Sequence, residues 1–224
     1  MIKFNLKTVF QIDFLLLFSA MLISNLLDQY LNRQIEEVIK SPQGLSNVIW
    51  FWGAVSLISS MVFPLIIALL CSHALVRLST PVTDFFSEKF ELGLVETFRA
   101  WGKTFLWSFL FIIPGLVKFS YYMLTPFVVF FSKKYARGEV DALAYSEKMA
   151  KKFWWQLNAW MTLFYVIIPI SLSSAIDEAR LFKTHPITAL LCVLLETFLI
   201  LIFHFLILKL FLKKLNEVDD GSYV

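Results

Sequence analysis

The chain has 224 residues, of which 58% are hydrophobic and only 17% are charged, and its mean hydropathy is +0.72. Soluble domains average roughly 45–50% apolar and about 25% charged residues, so a soluble fold of this length would lack enough polar residues to cover its surface. This composition excludes a soluble globular enzyme, a disordered chain and a nucleic-acid-binding domain, and a net charge of +3 is too small to indicate a polyanionic partner. The sequence therefore predicts an all-α integral membrane protein that forms a single domain over residues 1–224.

Apolar segments of about 20 residues are long enough to cross the hydrocarbon core as helices. The second apolar segment is too long for a straight crossing, because at 1.5 Å per residue it would reach roughly 50 Å against a core of about 30 Å. We expect it to bend at Pro64, and we expect Pro114-Gly115 to end the third segment. Pro126 and Pro169, in later segments, either mark broken helices at a binding site or are ordinary membrane-helix prolines. The sequence predicts a polytopic helix bundle with six spans, at Val9–Leu31, Leu45–Leu78, Trp101–Ile113, Leu116–Tyr135, Trp154–Ile176 and Pro186–Leu215.

The apolar N-terminal stretch is interpreted as the first span and not as a cleaved secretion signal. Asp13 interrupts the stretch early, and no small-x-small cleavage site follows it.

Basic residues are distributed unevenly between the two sides of the predicted spans. Fifteen of the 20 Lys and Arg residues fall in the N-terminal tail, the second and fourth connections and the C-terminal end. Short cytoplasmic connections carry an excess of Lys and Arg, so this distribution predicts an even number of spans and two cytoplasmic termini. The intervening connections, predicted to be external, hold the other five: Arg33, Lys40, Lys118, Arg180 and Lys183.

Two of the predicted cytoplasmic connections have the periodicity of amphipathic helices lying at the membrane interface. From Val82 to Trp101, apolar residues recur at three- and four-residue steps, with charged residues largely between them. In the fourth connection, Leu143, Ser146, Ala150 and Phe153 share one face, and the lysines lie away from it. Each helix leads into a Trp-rich entry to a predicted span, which is typical of a membrane–water interface.

A cluster of basic residues accompanies the second amphipathic helix. Positive charges at this level attract anionic headgroups, each contributing about 1 kcal/mol near the surface. The same charges also set topology, and the two roles do not exclude one another. The residues predicted to contact lipid headgroups are Lys133, Lys134, Arg137, Lys148, Lys151 and Lys152.

Three ionisable residues are predicted to lie inside or at the ends of spans. Glu196 falls near the middle of the sixth span, where insertion scales assign a charged residue a cost of about 2.5–3.5 kcal/mol, and His204 lies on roughly the same helix face. Together with Asp13 in the first span, they form a candidate site for proton relay or cation binding. In the alternative, Glu196 is protonated and hydrogen-bonded to a neighbouring helix, and Asp13 pairs with Lys7 or Lys103.

Neither a metal site nor a cofactor nor a catalytic centre is predicted. Cys71 and Cys192 stand singly in apolar runs, and His73 and His185 have no clustered ligands. The chain contains no HExxH, GxSxG or GxGxxG motif.

The region from Trp101 to Trp155 contains an aliphatic-Pro-Gly break at Pro114-Gly115, then Tyr121-Tyr122 and Pro126, followed by Ala142, Ser146, Lys151 and Trp154. This pattern resembles the membrane domain joined to some glycerophosphodiester phosphodiesterases, and similar stand-alone six-span proteins of bacteria. The resemblance covers about a quarter of the chain. It implies a helical fold and a bacterial inner-membrane location, but no activity, because the chemistry of those enzymes resides in a separate soluble barrel.

Three functions are compatible with these features. The favoured hypothesis is a non-enzymatic membrane component that organises lipid or a membrane protein partner, because polar groups are scarce inside the spans. The second is a small transporter or an oligomeric channel that uses Glu196, Asp13 and His204. A membrane-embedded lipid enzyme is the third, and it would need several polar groups converging in one pocket. Membrane lipids are the predicted partner in each case, and a homo-oligomer is a further possibility. Nucleic acid is not a predicted partner.

Overall fold

The computed structural model describes residues 12–41, 47–76, 81–171 and 185–218, and the regular secondary structure in these ranges is entirely helical. The prediction of an all-α fold is therefore confirmed for this part of the chain. The helices are α1 (Ile12–Ile39), α2 (Asn47–Val76), α3 (Val82–Leu110), α4 (Ile112–Tyr122), α5 (Thr125–Phe131), α6 (Lys133–Ala136), α7 (Ala142–Lys152), α8 (Trp154–Thr162) and α9 (Pro186–Val218), with a π-helical turn at Leu163–Ile167 after α8.

Four helical segments of the described chain are long and apolar enough to cross a membrane, where the sequence predicts six. Two predicted spans are not among the four. The third, Trp101–Ile113, is mostly the C-terminal part of the longer helix α3, and the fifth, Trp154–Ile176, continues from α8 through the π-helical turn to residue 171 and then leaves the described ranges. The four segments are Asp13–Ile39, Asn47–Ala74, Ile112–Phe131 and Pro186–Glu217.

Three of the four long helices of the described chain, α1, α2 and α9, pack together lengthwise. Helices α1 and α2 are antiparallel, because Asp13 meets His73 at one end and the rings of Tyr30 and Trp52 lie 5.9 Å apart towards the other. Helix α2 continues through Pro64 without a break in its helical residues. The buried core of this unit includes Leu17, Leu65, Leu69, Phe203 and Phe211. Close packing of long aliphatic and aromatic side chains fixes the three helices side by side.

Helices α3 and α4 form a tight hairpin whose turn differs from the predicted one. The predicted interfacial helix and the start of the third span are one continuous helix, which ends where Phe111 adopts extended dihedrals of φ −159° and ψ 145°. Pro114 does not end a helix; it lies in the first turn of α4, where a missing N–H costs no helical hydrogen bond. A Cβ at Gly115 would overlap the Ser108 side chain, so the close approach of the two helices requires glycine at this position.

The segment predicted to form the second amphipathic helix is helical as α7, and its apolar face is used for packing within the protein. Leu143, Ser146 and Ala150, predicted to share a face, are all buried, as is Phe153 just beyond the helix. The helix packs against α4 and α5, and the hydroxyl of Ser146 donates a 2.6 Å hydrogen bond to the carbonyl of Tyr121. Contact with these helices accounts for the periodicity of this segment.

Candidate functional site

A carboxylate on α7 binds two lysines that sequence analysis assigns to opposite sides of the membrane. Lys118 Nζ on α4 lies 2.9 Å from Oε2 of Glu147, and Lys151 Nζ lies 2.8 Å from Oε1. Partial burial acts to raise the pKa of Glu147, but the hydrogen bonds from Lys151 and Lys118 outweigh it and hold that pKa below its ordinary value. The structure therefore departs from the prediction that Lys118 and Lys151 lie on opposite sides, since two lysines that share one carboxylate must lie on the same side of a membrane.

Aromatic rings surround the Lys118 ammonium group. Its Nζ lies 5.5 Å from the ring centroid of Trp107, 5.6 Å from that of Tyr121 and 5.7 Å from that of Tyr122. These distances are typical of cation–π contacts, which favour the charged form of lysine. The rings and the Glu147 carboxylate together hold a cation that is only 20% exposed.

A second charged cluster joins α3 to the start of α7. One guanidinium nitrogen of Arg99, Nη1, donates to both carboxylate oxygens of Glu96 over 2.7 Å, and Nη2 lies 2.7 Å from Oδ2 of Asp141. Asp141 also caps α7 by accepting a 3.0 Å hydrogen bond from the Ala144 amide. Partial desolvation acts against the ionised Asp141, yet the hydrogen bonds from Arg99 and the Ala144 amide lower its pKa. This cluster holds α7 against the hairpin.

A basic cleft of about 590 Å³ opens beside the Glu147 cluster. It brings three lysines together: Lys151 and Lys152 at the end of α7, and Lys214 near the end of α9. Lys151 and Lys214 are held by Glu147 and Glu217, whereas Lys152 forms no salt bridge with a described residue. The remaining lining residues are mainly aromatic: Tyr121, Phe153, Trp154, Trp155 and Gln156. A cleft with this lining suits a ligand that has both an anionic group and an apolar part.

The six basic residues predicted to contact headgroups are divided between separate places. Only Lys151 and Lys152 line the basic cleft, while Lys134 and Lys148 border a second depression of about 320 Å³ beside Asp141. The others lie outside both depressions: Lys133 is exposed, and Arg137 pairs with Glu139 over 3.1 Å.

Sequence reasoning missed Lys214 as a member of the cleft. From the sequence, Lys214 is predicted only to be one of the basic residues that end the sixth span. The relevant signal is its place in the terminal group Lys209, Lys213 and Lys214, but no local pattern indicates which of the three would meet α7.

Glu196 belongs to a polar contact between α1 and α9. Gln29 donates from Nε2 to Oε2 of Glu196 over 3.1 Å, and Asn25 donates to Thr197 Oγ1 over 3.3 Å and to the carbonyl of Val193 over 3.4 Å. Hydrogen bonds of this kind satisfy polar groups between membrane helices. Sequence reasoning missed Asn25 and Gln29, although their four-residue spacing places both on one face of the first span.

The structure does not bring Asp13, Glu196 and His204 together. Asp13 Oδ2 lies 3.1 Å from Nδ1 of the buried His73, while Lys103 is near Asp141 and Lys7 lies outside the described residues. His204 places Nδ1 2.9 Å from the carbonyl of Ile200, on its own helix. Each candidate residue thus has a different local partner.

No group of three or more His, Cys, Asp or Glu residues in the described ranges is arranged to hold a metal ion. Cys71 is buried, and burial among apolar side chains makes it a small hydrophobic residue of the core.

The chain matches no family model, no curated protein and no solved structure. The resemblance to the phosphodiesterase membrane domain therefore stays a prediction from the residues quoted above.

Proposed function

We propose that this chain is a non-enzymatic protein of the bacterial inner membrane that organises anionic lipid, with the basic cleft as the site for a lipid headgroup. One observation carries the proposal: Lys151, Lys152 and Lys214, from two distant parts of the chain, line one cleft together with Trp154 and Trp155. Lysines attract the phosphate of a headgroup, and tryptophan rings favour the headgroup level of a bilayer.

The three lysines differ in how they would contribute. Glu147 and Glu217 already partly neutralise Lys151 and Lys214 and hold their side chains in place. Lys152 is exposed and has no salt bridge in the described part of the chain, so it brings the least compensated charge to the cleft. One such charge near an anionic surface contributes about 1 kcal/mol, which is roughly a fivefold change in affinity.

The charge distribution supports a cytoplasmic position for the basic end of the bundle and for both termini. Lys118 joins this end through Glu147, which leaves fewer basic residues for the other side than the sequence analysis assigns. The resemblance of the Trp101–Trp155 region also supports a bacterial inner-membrane location.

The test measures lipid binding to the purified full chain in detergent. Phosphatidylglycerol and phosphatidylcholine are compared by native mass spectrometry of the protein–lipid complexes. We expect the wild-type chain to prefer phosphatidylglycerol and Lys152→Gln to bind it roughly fivefold more weakly. Lys213→Gln is the matched control, because Lys213 is an exposed lysine of the same helix end that does not line the cleft. Equal binding of the two lipids, or an equal loss in both variants, contradicts the proposal.

A small transporter or an oligomeric channel is the second candidate, and the polar contact around Glu196 is the observation that favours it. Asn25, Gln29 and Thr197 offer hydrogen-bonding groups beside a carboxyl group inside the bundle. The test is proton or cation flux into proteoliposomes, compared for the wild type and Glu196→Gln. Equal flux at every pH removes Glu196 from any transport role.

A further inference from the structure

We propose that the α3–α4 hairpin enters the bilayer from the cytoplasmic surface, turns at Phe111 and returns to the same surface. Its tip then contacts the acyl chains of one leaflet. The segments that cross the membrane are α1, α2, the helix that starts at Trp154, and α9. This topology is independent of the proposed headgroup site.

Both arms of the hairpin are tied to α7 by charged residues at their base. On α3, Arg99 binds Asp141, and Lys103 lies close enough to Asp141 to lower the pKa of that carboxyl group. On α4, Lys118 binds Glu147. Residues 104–117, which lie between these two anchors, contain no charged side chain. The base of the hairpin is therefore at the level of the charged α7 surface, and only uncharged residues extend beyond it.

The arms are too short to cross a bilayer from that base. At 1.5 Å per residue, the helix from Lys103 to Phe111 extends about 12 Å and the helix from Phe111 to Lys118 about 10 Å. The hydrocarbon core is about 30 Å thick, so the tip stays within roughly one leaflet. The Ile112–Phe131 segment is apolar enough for a span, but its first half is held at the base of the hairpin by Lys118. Its second half, α5, is buried in the protein core.

The tip has the surface that a hydrocarbon environment stabilises. Phe109, Phe111 and Ile113 are 86%, 74% and 75% exposed, and Leu106, Leu110, Ile112 and Leu116 are also exposed. An apolar patch of this extent is unfavourable in water. Trp107 and the two tyrosines near Lys118 supply the aromatic residues typical of the headgroup level above it.

The turn at Phe111 keeps two backbone hydrogen bonds, which reduces the number of polar groups that it would expose to lipid. The Phe111 amide donates to the carbonyl of Trp107 over 3.1 Å, and the Gly115 amide donates to the carbonyl of Phe111 over 3.2 Å. The hydroxyl groups of Thr104 and Ser108 donate to carbonyls four residues earlier in α3. Both the amide and the carbonyl of Phe111, the one non-helical residue, are therefore hydrogen-bonded.

In this topology the α3–α4 hairpin does not cross the membrane, and the helix that starts at Trp154 does. Residues 153–171 carry no charged side chain, and 154–171 would extend about 27 Å as a helix, close to the thickness of the core. This segment begins beside the basic cleft and runs along α9, because Phe164 and Tyr165 place their rings 5.4 Å and 4.9 Å from that of Phe203. Four crossings result, and the number stays even.

The test is the accessibility of single cysteines in the full chain, in a background carrying Cys71→Ala and Cys192→Ala. A membrane-impermeant maleimide is applied to right-side-out and inverted membrane vesicles. The cytoplasmic reference is Lys213→Cys and the external reference is Lys40→Cys, because α9 and α1 end at opposite ends of the bundle. We expect Lys118→Cys to react in inverted vesicles with Lys213→Cys, and Ile113→Cys to stay unlabelled in both preparations. Reaction of Lys118→Cys or Ile113→Cys together with Lys40→Cys overturns the proposal.

Lys118→Cys removes a partner of Glu147 and could disturb the fold. A second measurement therefore tests the position of the hairpin with Lys118 intact. A nitroxide attached at Ile112→Cys, an exposed position at the tip of the hairpin, is tested in liposomes for collisions with oxygen and with a water-soluble nickel chelate. Preferential collision with oxygen, without spin–spin broadening, supports insertion into lipid. Preferential collision with nickel indicates an aqueous tip, and broadening indicates that a second copy covers it; either result contradicts the proposal.

Discussion

Lys118 Nζ lies 2.9 Å from Oε2 of Glu147, although 28 intervening residues and a predicted membrane crossing separate them in the sequence analysis. Both side chains are about four-fifths buried, so the pair is a partly desolvated contact and not a surface ion pair. Removing Lys118 would leave Glu147, among the described residues, with Lys151 alone, whose side chain is 57% exposed, and this should cost more than the loss of an exposed ion pair.

Replacing Lys118 by Met should therefore lower the stability of the chain. We expect a loss of about 1.5–3 kcal/mol, the typical contribution of a hydrogen bond to a charged group, because Glu147 loses Lys118 and keeps its bond to Lys151. The measurement is thermal unfolding in detergent followed by circular dichroism. Lys40→Met is the control, because Lys40 pairs with Glu36 at an exposed position at the end of α1. A change in midpoint no larger than that of the control would show that the Glu147 contact does not stabilise the fold.

Asp141 and Glu147 should make the fold sensitive to acid. The pKa of each carboxyl group is lowered in the folded protein, so each contributes stability above its ordinary pKa, 3.8 for Asp141 and 4.5 for Glu147. That contribution is lost as the pH falls below these ordinary values and through the lowered ones. Unfolding midpoints measured from pH 7 to pH 2 should decline less steeply in Asp141→Asn than in the wild type. Parallel pH curves for the two proteins would contradict the assignment.

Gly115 should not tolerate a side chain. A methyl group in Gly115→Ala would overlap Ser108, and relieving the overlap requires the two helices to separate, at a typical cost of about 1–3 kcal/mol. Gly102→Ala is the matched control, since a Cβ there meets nothing within 4 Å and alanine favours a helix interior by about 0.5–1 kcal/mol. The thermal midpoint should fall for the first variant and rise for the second. Equal shifts would mean that α3 and α4 do not approach closely at Ser108.

Glu196 should contribute to helix association as a hydrogen-bonding group. Glu196→Gln retains an acceptor for the Gln29 amide, so we expect little change in stability. Glu196→Ala removes the acceptor and should cost about 0.5–2 kcal/mol, the range measured for hydrogen bonds between membrane helices. Unfolding of both variants in the same detergent separates the two outcomes. If Glu196→Gln is as destabilised as Glu196→Ala, the contact depends on charge and not on hydrogen bonding.

Much of the helical content could be predicted, because it depends on local periodicity and composition. The shared face of Leu143, Ser146 and Ala150 is found buried as one face of α7. What such a face contacts is a tertiary property: the same pattern fits a lipid interface and the surface of α4. Sequence periodicity alone therefore could not decide between the two environments.

The turn of the hairpin shows a second limit. Pro-Gly is a strong signal for the end of a helix, but proline is equally well placed in a first turn. The glycine at 115 is required by the approach of Ser108 from another helix, a contact that no local rule reveals. The break consequently falls at Phe111, a residue with no turn preference of its own.

Candidate site residues could be predicted where a residue type is rare in its surroundings. Site residues that are brought together from distant segments were missed. Glu196 is conspicuous because a carboxyl group is costly inside an apolar run. Lys214 reaches the cleft only because α9 ends beside α7, and Lys118 reaches Glu147 only because the hairpin folds back. Both contacts depend on topology, which the count of basic residues between predicted spans could not supply.

The single extended residue between α3 and α4 couples the rotation of the two helices. One residue added to either arm would turn everything beyond it by about 100° and shift it by 1.5 Å along the axis. Such an insertion would carry Trp101 away from Phe119, whose ring lies 6.1 Å distant, and Ser108 away from Gly115. With no loop to absorb the change, the hairpin has a fixed length, and homologous chains should vary there by substitution and not by insertion or deletion.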